Sequence, residues 1–535
     1  VITVPGFSAS SKLPGIFLAV ILGGPGTSAG IAPMKALILG NKITSAITAA
    51  SPTLSVAAGT QADATPVLLT SADDAATKYG RGSEMHRMAR AFFAQYPDGT
   101  LYGASVAEAG SAATGVLTFA TTATAAYTVR LYCCDEVIEV AVASGATVTT
   151  IASAVAAAIC AKPDLPYTAQ NSSGVVTITA KNTGPRGNTL VVAASFVSST
   201  GAETVITTSS TSSGAGTTGI FSSTGTLGSE ITLSGGATQD SFAAAITAIA
   251  PVRYDRIIGA CIDATNIGRL STAMASQAAV SVQKRQQTIV ASVDTLANCT
   301  TVATGVNSDR VQVAWHYASR LPACDVAATV AAARMNGDSA AGGRLAGEAS
   351  DPAANLDGLE LTTLSAQNAV ADRPTTTDLN SALANGITPL APSANRPGRT
   401  ILVRSITSHS LTGGVPNYSV LDTTNVTATD YGADDLQADL AVTYAGAKLT
   451  ADTADGLPPL APNLVTPKIV RTYIASKLAG YEARAICRDV AANLSLLTVV
   501  ADPTTPGRLL ADIPFVPVPG LHQIAGNVRQ LAPAA

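Results

Sequence analysis

Between Tyr254 and Asn336 short apolar runs alternate with stretches of helical periodicity, and this alternation limits the possible folds most tightly. YDRIIGACI (Tyr254–Ile262) is the first run, after which Ile267, Leu270, Met274, Ala278 and Val282 recur at three- and four-residue steps. QTIVASV (Gln287–Val293) is the second, with a short alanine- and leucine-containing turn behind it. RVQVAWHY (Arg310–Tyr317) is the third, followed by an alanine-rich helix from about Ala323 to Met335. Strands that are apolar throughout, rather than alternately apolar and polar, are buried on both faces, as in a parallel sheet covered by helices. The expectation is an α/β core.

At 535 residues the chain should hold more than one domain. Charged residues make up 13%, aromatics 4% and hydrophobics 47%, so the surface repels weakly and suits broad self-contact. The net charge of −4 gives no basic footprint for nucleic acid and no polybasic membrane patch. The seven cysteines lack metal-ligand spacing and read as small buried hydrophobes of a reducing compartment. Leu13–Met34 is free of charge, but its glycines (15, 23, 24, 26, 30) and prolines (14, 25, 33) would leave a lone helix unsatisfied in lipid. The same breakers argue against a signal peptide, and the chain is expected to be soluble and unexported.

The first hundred residues read as α/β: an extended arm (residues 1–12), strands at Ile16–Leu22, Lys35–Leu39 and Pro66–Thr70, helices from Asp73 and after Ser83, and a strand at Leu101–Val106. From about Ala109 to 240 the pattern becomes alternating, with one helix at Val148–Ala161 and a Ser/Thr/Gly-rich stretch over 207–236, implying a mostly β, surface-exposed insertion. Residues 337–400 read as long connections, and Lys468–Arg488 as an amphipathic helix with Val470, Tyr473, Ile474, Leu478, Tyr481 and Ala485 inward. Arg508–Val518 is apolar and carries Pro514 and Pro517, which confine it to a sheet edge or a detached arm, and Leu521–Leu531 is a last strand candidate. Both ends thus present extended apolar segments without local partners. The expected boundaries are an arm over 1–20, core over 21–108 and 241–507, insertion over 109–240, and an arm over 508–535.

Candidate chemistry is sparse. Gly24-Pro-Gly26-Thr-Ser-Ala29 satisfies a dinucleotide-binding pattern, but Gly30, Pro33 and a β-run follow where the mechanism needs a helix N-terminus, so a tight turn is favoured. Asp263, Asp294 and His316 each fall near the C-terminal end of an expected parallel strand and could hold a metal or run acid–base chemistry. The simpler assignment makes Asp263 and Asp294 helix caps and His316 a buried strand residue. No G-x-S-x-G elbow occurs. Arg471, Lys477, Arg484 and Arg488 form either a solvated face or a charge stripe meeting an acidic neighbour. No cofactor is indicated, and no enzymatic activity.

The segments PGIFLAVILGGPGTSAG…KALILG, DDAATKYGRGSEMHRMARAF…Y, TVTTIASAVAAAI…YTAQNSSGVVTITAKNTGPRGNTL, YDRIIGACID and VRTYIASKLAGY, in this order, resemble contractile phage tail sheath proteins of the Mu-like type. The likeness covers most of the chain. It implies an α/β (α+β) sheath core domain with a mostly β insertion and extended N- and C-terminal arms. It further implies hexameric rings stacked helically on a tail tube protein, with baseplate and tail terminator proteins as partners and neither nucleic acid nor membrane insertion. Such a sheath contracts to drive the tube through the host envelope. It belongs to the virion and is assembled in the host cytoplasm. The arm residues that would reach neighbouring copies are Val4, Phe7, Ile513, Phe515, Val516, Val518, Leu521, Ile524 and Val528. Arg471, Lys477, Arg484 and Arg488 would face the tube. A static shell or surface-layer protein, or an α/β hydrolase-like or metal-dependent enzyme using Asp263, Asp294 and His316, are the alternatives.

Overall fold

The structure, a computed structural model, describes residues 34–119, 122–198, 203–205, 208–209, 218–220, 230–340, 356–365, 372–394, 396, 398–416, 421–452, 463–504 and 506–528. Val4, Phe7, the strand at Ile16–Leu22, the turn at Gly24–Ala29 and much of 207–236 lie outside the described residues. Among the described residues two compact units emerge: those within 34–427 together with 519–528, and those within 428–518. The sequence patterning instead carries the core through 507.

The larger unit opens with β1 (Lys35–Asn41), β2 (Val67–Leu69), α1 (Ala72–Tyr79), α2 (Glu84–Gln95) and β3 (Thr100–Val106). Next come β4 (Ala112–Thr118), β5 (Tyr127–Cys133), β6 (Glu136–Val142), α3 (Val148–Cys160), β7 (Tyr167–Ser172), β8 (Val175–Thr183) and β9 (Val191–Ser198). The chain continues through α4 (Ala243–Ile249), β10 (Arg256–Gly259), α5 (Ala264–Ala278), β11 (Gln287–Ser292), α6 (Leu296–Val306), β12 (Val311–Trp315) and α7 (Ala323–Ala340). It ends in β13 (Leu359–Ser365), α8 (Thr376–Ala384), β14 (Ile387–Pro392) and β15 (Arg399–Leu402).

Among the described residues the main sheet has nine strands in the order β13-β15-β14-β12-β11-β10-β1-β3-β2. From β14 to β3 the neighbours are parallel, and β2, β15 and β13 add antiparallel edges. Its central strands are buried on both faces because their residues feed two different clusters. Ile38, Ile258, Ile289 and Ala314 pack with Met85, Met88 and Phe92 of α2 and Val326 and Val330 of α7. Leu37, Leu39, Ile257 and Val290 pack with Phe242, Ile249, Ile267, Leu270 and Met274 on the other side. Each such buried aliphatic contributes about 1.5–3 kcal/mol. The alanines of α7 (327, 328, 331, 332) are fully buried, which lets that helix lie close to the sheet.

Ser71 and Ser83 cap α1 and α2, their hydroxyls accepting from the N–H of Asp74 and of His86. The strands β14 and β15 fall within or at the end of the stretch whose composition suggests connections; Ile387 and Leu390 are fully buried there.

The strands from β4 to β9 form two further sheets around a separate cluster that includes Val129, Leu131, Ile151, Val155, Val176 and Ile178. Strict alternation of buried and half-buried residues in β4 shows why sheets of this kind bury one face only. Where the chain enters and leaves these two sheets, Ala109 N–H donates to Asp240 Oδ1 (2.6 Å) and a bridge joins Ser111 and Ala237. Arg186 spans the joint, donating from Nε to Glu84 Oε1 (2.7 Å) and from Nη2 to the fully buried Asp240 Oδ2 (2.6 Å). Burial works against its charge, but the two carboxylates more than offset this and hold the guanidinium protonated. Arg87, also buried, pairs with Asp325 and donates to the Asp164 carbonyl (3.0 Å).

The smaller unit contains α9 (Thr423–Thr443) from Ala428 on, α10 (Pro467–Ala483) and a hairpin of β16 (Thr498–Ala501) with β17 (Leu509–Asp512). Val470, Ile474, Leu478 and Tyr481 of α10 are buried with Ala428, Tyr431 and Leu436. The Thr466 hydroxyl accepts from the Ile469 N–H, and Pro467 occupies the first turn, where its missing donor costs nothing. The sequence pattern carries this helix to Arg488, yet it stops at Ala483. Ala485 is left-handed (φ 56°) and exposed, so it does not point inward.

Candidate assembly surfaces

The C-terminal ends of the parallel strands, where α/β folds commonly seat ligands, are engaged otherwise here. Asp263 caps α5: its Oδ1 accepts from the Asn266 N–H (2.8 Å) and its Oδ2 from the Asn266 side-chain amide (3.0 Å). Asp294 does not cap α6, contrary to the simpler expectation. That role falls to Thr295, while Asp294 accepts from the Thr295 N–H (2.6 Å) and the Asn298 amide (2.8 Å).

His316 is buried, and neither ring nitrogen has a hydrogen-bond partner. Burial pushes its pKa down to about 4, so the ring is neutral near neutrality. Among the described residues no hydrogen bond or ion pair joins any two of these three, and no group of three or more His, Cys, Asp or Glu is placed to hold a metal. Beyond β10, Ala260 and Ile262 line a cavity of about 40 Å³ that Arg186, Gly187 and Leu190 of the insertion also line. That is room for water but far below the few hundred Å³ of a small-molecule pocket. Arg186, Gly187 and Leu190 therefore stand beside the end of β10.

All four cations on and after α10 have partners within their own unit. Arg471 donates to the carbonyls of Leu497 and Leu494, both at 2.8 Å. Lys477 pairs with the buried Asp439. Arg484 lies over the Tyr431 ring (5.4 Å to the centroid) and donates to its hydroxyl (3.0 Å). Arg488 is more than half exposed beside the equally exposed Asp489 (3.6 Å). Arg471 braces the loop before β16, while Lys477 and Arg484 tie α10 and the residue after it to α9.

The last expected arm divides in two. Leu509–Asp512 is not a detached strand; it pairs with β16, and Arg508 and Asp502 close the hairpin with an ion pair. Ile513 and Phe515 pack on the small unit's core, Phe515 meeting Tyr481 edge-on (6.4 Å). Val516 accepts from the Arg488 N–H (2.9 Å), and Val518 donates to the Ile486 carbonyl (3.3 Å). Ile513, Phe515, Val516 and Val518 therefore have local partners, which their sequence context did not suggest. Gly432 of α9, whose missing side chain leaves space for the Phe515 ring, is the signal that sequence patterning lacked.

Beyond Val518 the chain changes character. Residues 519–528 form no strand, and Leu521, Ile524 and Val528 are 71%, 85% and 102% exposed. Hydrophobic side chains so fully in solvent are costly to leave uncovered. Val500 and Leu510 of the hairpin are also exposed, at 52% and 46%. Among the described residues no helix is long and apolar enough to cross a membrane, and all seven cysteines are free.

No protein-family model matches the chain, and no curated protein matches it. Among solved structures the chain is similar to the sheath tail protein from Desulfitobacterium hafniense, at 13% identity and a TM-score of 0.45, over 94% of this chain and 100% of that one. It is likewise similar to the sheath tail protein from Listeria innocua, at 13% identity and a TM-score of 0.46, over 92% of this chain and 94% of that one.

Proposed function

We propose that the chain is a structural subunit of a contractile tail sheath of the Mu-like type. It polymerises helically around a tail tube in stacked rings of six, and contracts to drive the tube through the host envelope for genome delivery. The observation that carries this reading is the C-terminal segment 519–528. It has apolar side chains in solvent and no ladder partner among the described residues. Such a segment gains backbone hydrogen bonds and buries its side chains by adding to a sheet edge of another copy. Because donor and acceptor surfaces differ, the contact is head-to-tail, and repetition with a rise gives an open helix rather than a closed dimer. The hairpin of β16 and β17 offers such an edge, with Val500 and Leu510 ready to be covered.

In this reading the nine-stranded sheet is the rigid body that rotates on contraction, and no nucleotide is consumed. The energy is stored in an extended arrangement of the same fold. Tail tube, baseplate and terminator proteins are the further partners, within a virion assembled in the host cytoplasm.

Electron microscopy of the purified full-length chain tests the proposal. Long hollow helical tubes with six-fold end views are expected, and a variant truncated after Val518 should stay dispersed. Monomers in the untruncated preparation would overturn it, and flat sheets or closed cages would point to a static shell.

A further inference from the structure

Two buried arginines share the wall of one small chamber. Arg87 of α2 and Arg186 of the single turn Pro185–Thr189 are 1% and 7% exposed, and both line the cavity of about 40 Å³ beside the end of β10. The protein satisfies each guanidinium only in part. Arg87 donates from Nη1 to the Asp164 carbonyl (3.0 Å) and from Nη2 to Asp325, but its Nε has no partner. Arg186 donates from Nε to Glu84 and from Nη2 to Asp240, but its Nη1 has none. Both side chains stay charged, because the carboxylates beside them outweigh the cost of burial. A buried charged donor without an acceptor is expensive, and such groups are commonly met by internal water.

We propose that this cavity is a built-in water site, whose occupants accept from the Nε–H of Arg87 and the Nη1–H of Arg186. The volume suffices for about two or three molecules, since each needs about 10–15 Å³ on this measure. The walls supply the remaining partners. The Glu84 carboxylate accepts from the Asn41 N–H (2.9 Å) and from Arg186 Nε (2.7 Å), and still has lone pairs to offer. The Thr189 hydroxyl donates to the Arg186 carbonyl (2.9 Å) and keeps its accepting side. Charge selects a neutral ligand. The carboxylates of Glu84, Asp240 and Asp325 already outnumber the two guanidiniums, so an anion gains nothing, while a cation would meet N–H groups. The water then joins the Arg87–Asp325 pair to the Arg186–Glu84–Asp240 group, between which no hydrogen bond runs among the described residues. It fastens the start of α2 to the start of α7 and to the turn at Pro185–Thr189.

The test is a high-resolution map of the full-length chain, from crystals grown with sodium bromide as the only halide salt. Density of water strength is expected within hydrogen-bond distance of Arg87 Nε and Arg186 Nη1, with no anomalous bromide signal there. A bromide peak would make it an anion site. A chamber without density, or a guanidinium turned onto a protein acceptor, would make it no site. Each of these overturns the proposal. Stability gives a second reading through Ala260, which lines the chamber and is 2% exposed. Threonine and valine share a shape, and in a dry apolar hole the buried hydroxyl makes threonine the less stable of the two. Beside bound water that hydroxyl replaces a displaced partner, so Ala260→Thr should unfold at a higher urea concentration than Ala260→Val. Equal midpoints, or a higher one for valine, overturn the proposal as well.

Discussion

Val500 and Leu510 face each other across the β16–β17 ladder, a two-stranded sheet of its own, with both side chains about half exposed at 52% and 46%. If this pair is covered on assembly, replacing both residues with threonine removes about 1–2 kcal/mol per contact. The critical concentration for polymerisation, read by light scattering, should then rise about tenfold. The melting temperature of the isolated subunit should hardly move, because surface changes outside special features stay within about 0.5 kcal/mol.

Gly432 and Phe515 form a coupled pair. A Cβ at position 432 would sit 2.7 Å from the Phe515 ring. Gly432→Ala should destabilise the wild-type chain by about 1 kcal/mol, despite the helix propensity that alanine adds. In a Phe515→Ala background, itself about 2 kcal/mol less stable, the same change should stabilise by about 1 kcal/mol. Urea unfolding of the four proteins would measure the sign reversal.

Arg186 bridges Glu84 at the start of α2 and Asp240 before α4. Arg186→Met strands Glu84 and the buried Asp240 without their cation and should cost about 3–5 kcal/mol, seen as a lower urea midpoint. Adding Asp240→Asn and Glu84→Gln should recover much of that loss, because the uncompensated charges are then gone.

Acid sensitivity follows from two buried histidines. His86 is pushed down to about 4, chiefly by burial, with Asp164 opposing and Arg81, Arg87 and Arg90 adding to the shift; its Nδ1 accepts from the Gly82 N–H at 2.9 Å. His316 is pushed to about 4 by burial alone. Both rings are neutral when folded and take up protons more readily when unfolded. Their contribution is complete above the ordinary histidine value of about 6.5 and is lost as the pH falls from there toward 4, by about 3 kcal/mol each at most. His316→Phe should flatten this fall relative to wild type in denaturant titrations run at about pH 7, 5.5 and 4.5.

The central strands were legible because Ile257, Ile289 and Val313 sit in runs apolar on both faces, a pattern few other structures share. The caps at Ser71, Ser83 and Asp263 were equally readable from residue type. Long-range pairing was not. Nothing near Leu509 announces that its partner is Ala501, and the prolines that follow it suggest a free arm. Helix α9 also escaped notice: TTNVTATDYGADDLQADLAVT begins in weak helix formers and carries four aspartates, so its packing rather than its pattern makes it a helix. At the surfaces, the spacing of Arg471, Lys477 and Arg484 showed a cluster of cations but not that carbonyls, Asp439 and Tyr431 already engage them.

Strand β1 lies between β3 and β10, so its two hydrogen-bonding edges are claimed by segments made at very different times. During synthesis the β3 edge can be satisfied once residue 106 has left the ribosome, but the other must wait until Arg256–Gly259 arrives. In that interval Leu37 and Leu39 lack the covering that α4 and α5 later supply, while the intervening 109–240 has time to collapse on its own cluster. Translation speed across the insertion would then govern how long a half-built sheet stands open to other nascent chains, a hazard that grows where many copies are made at once.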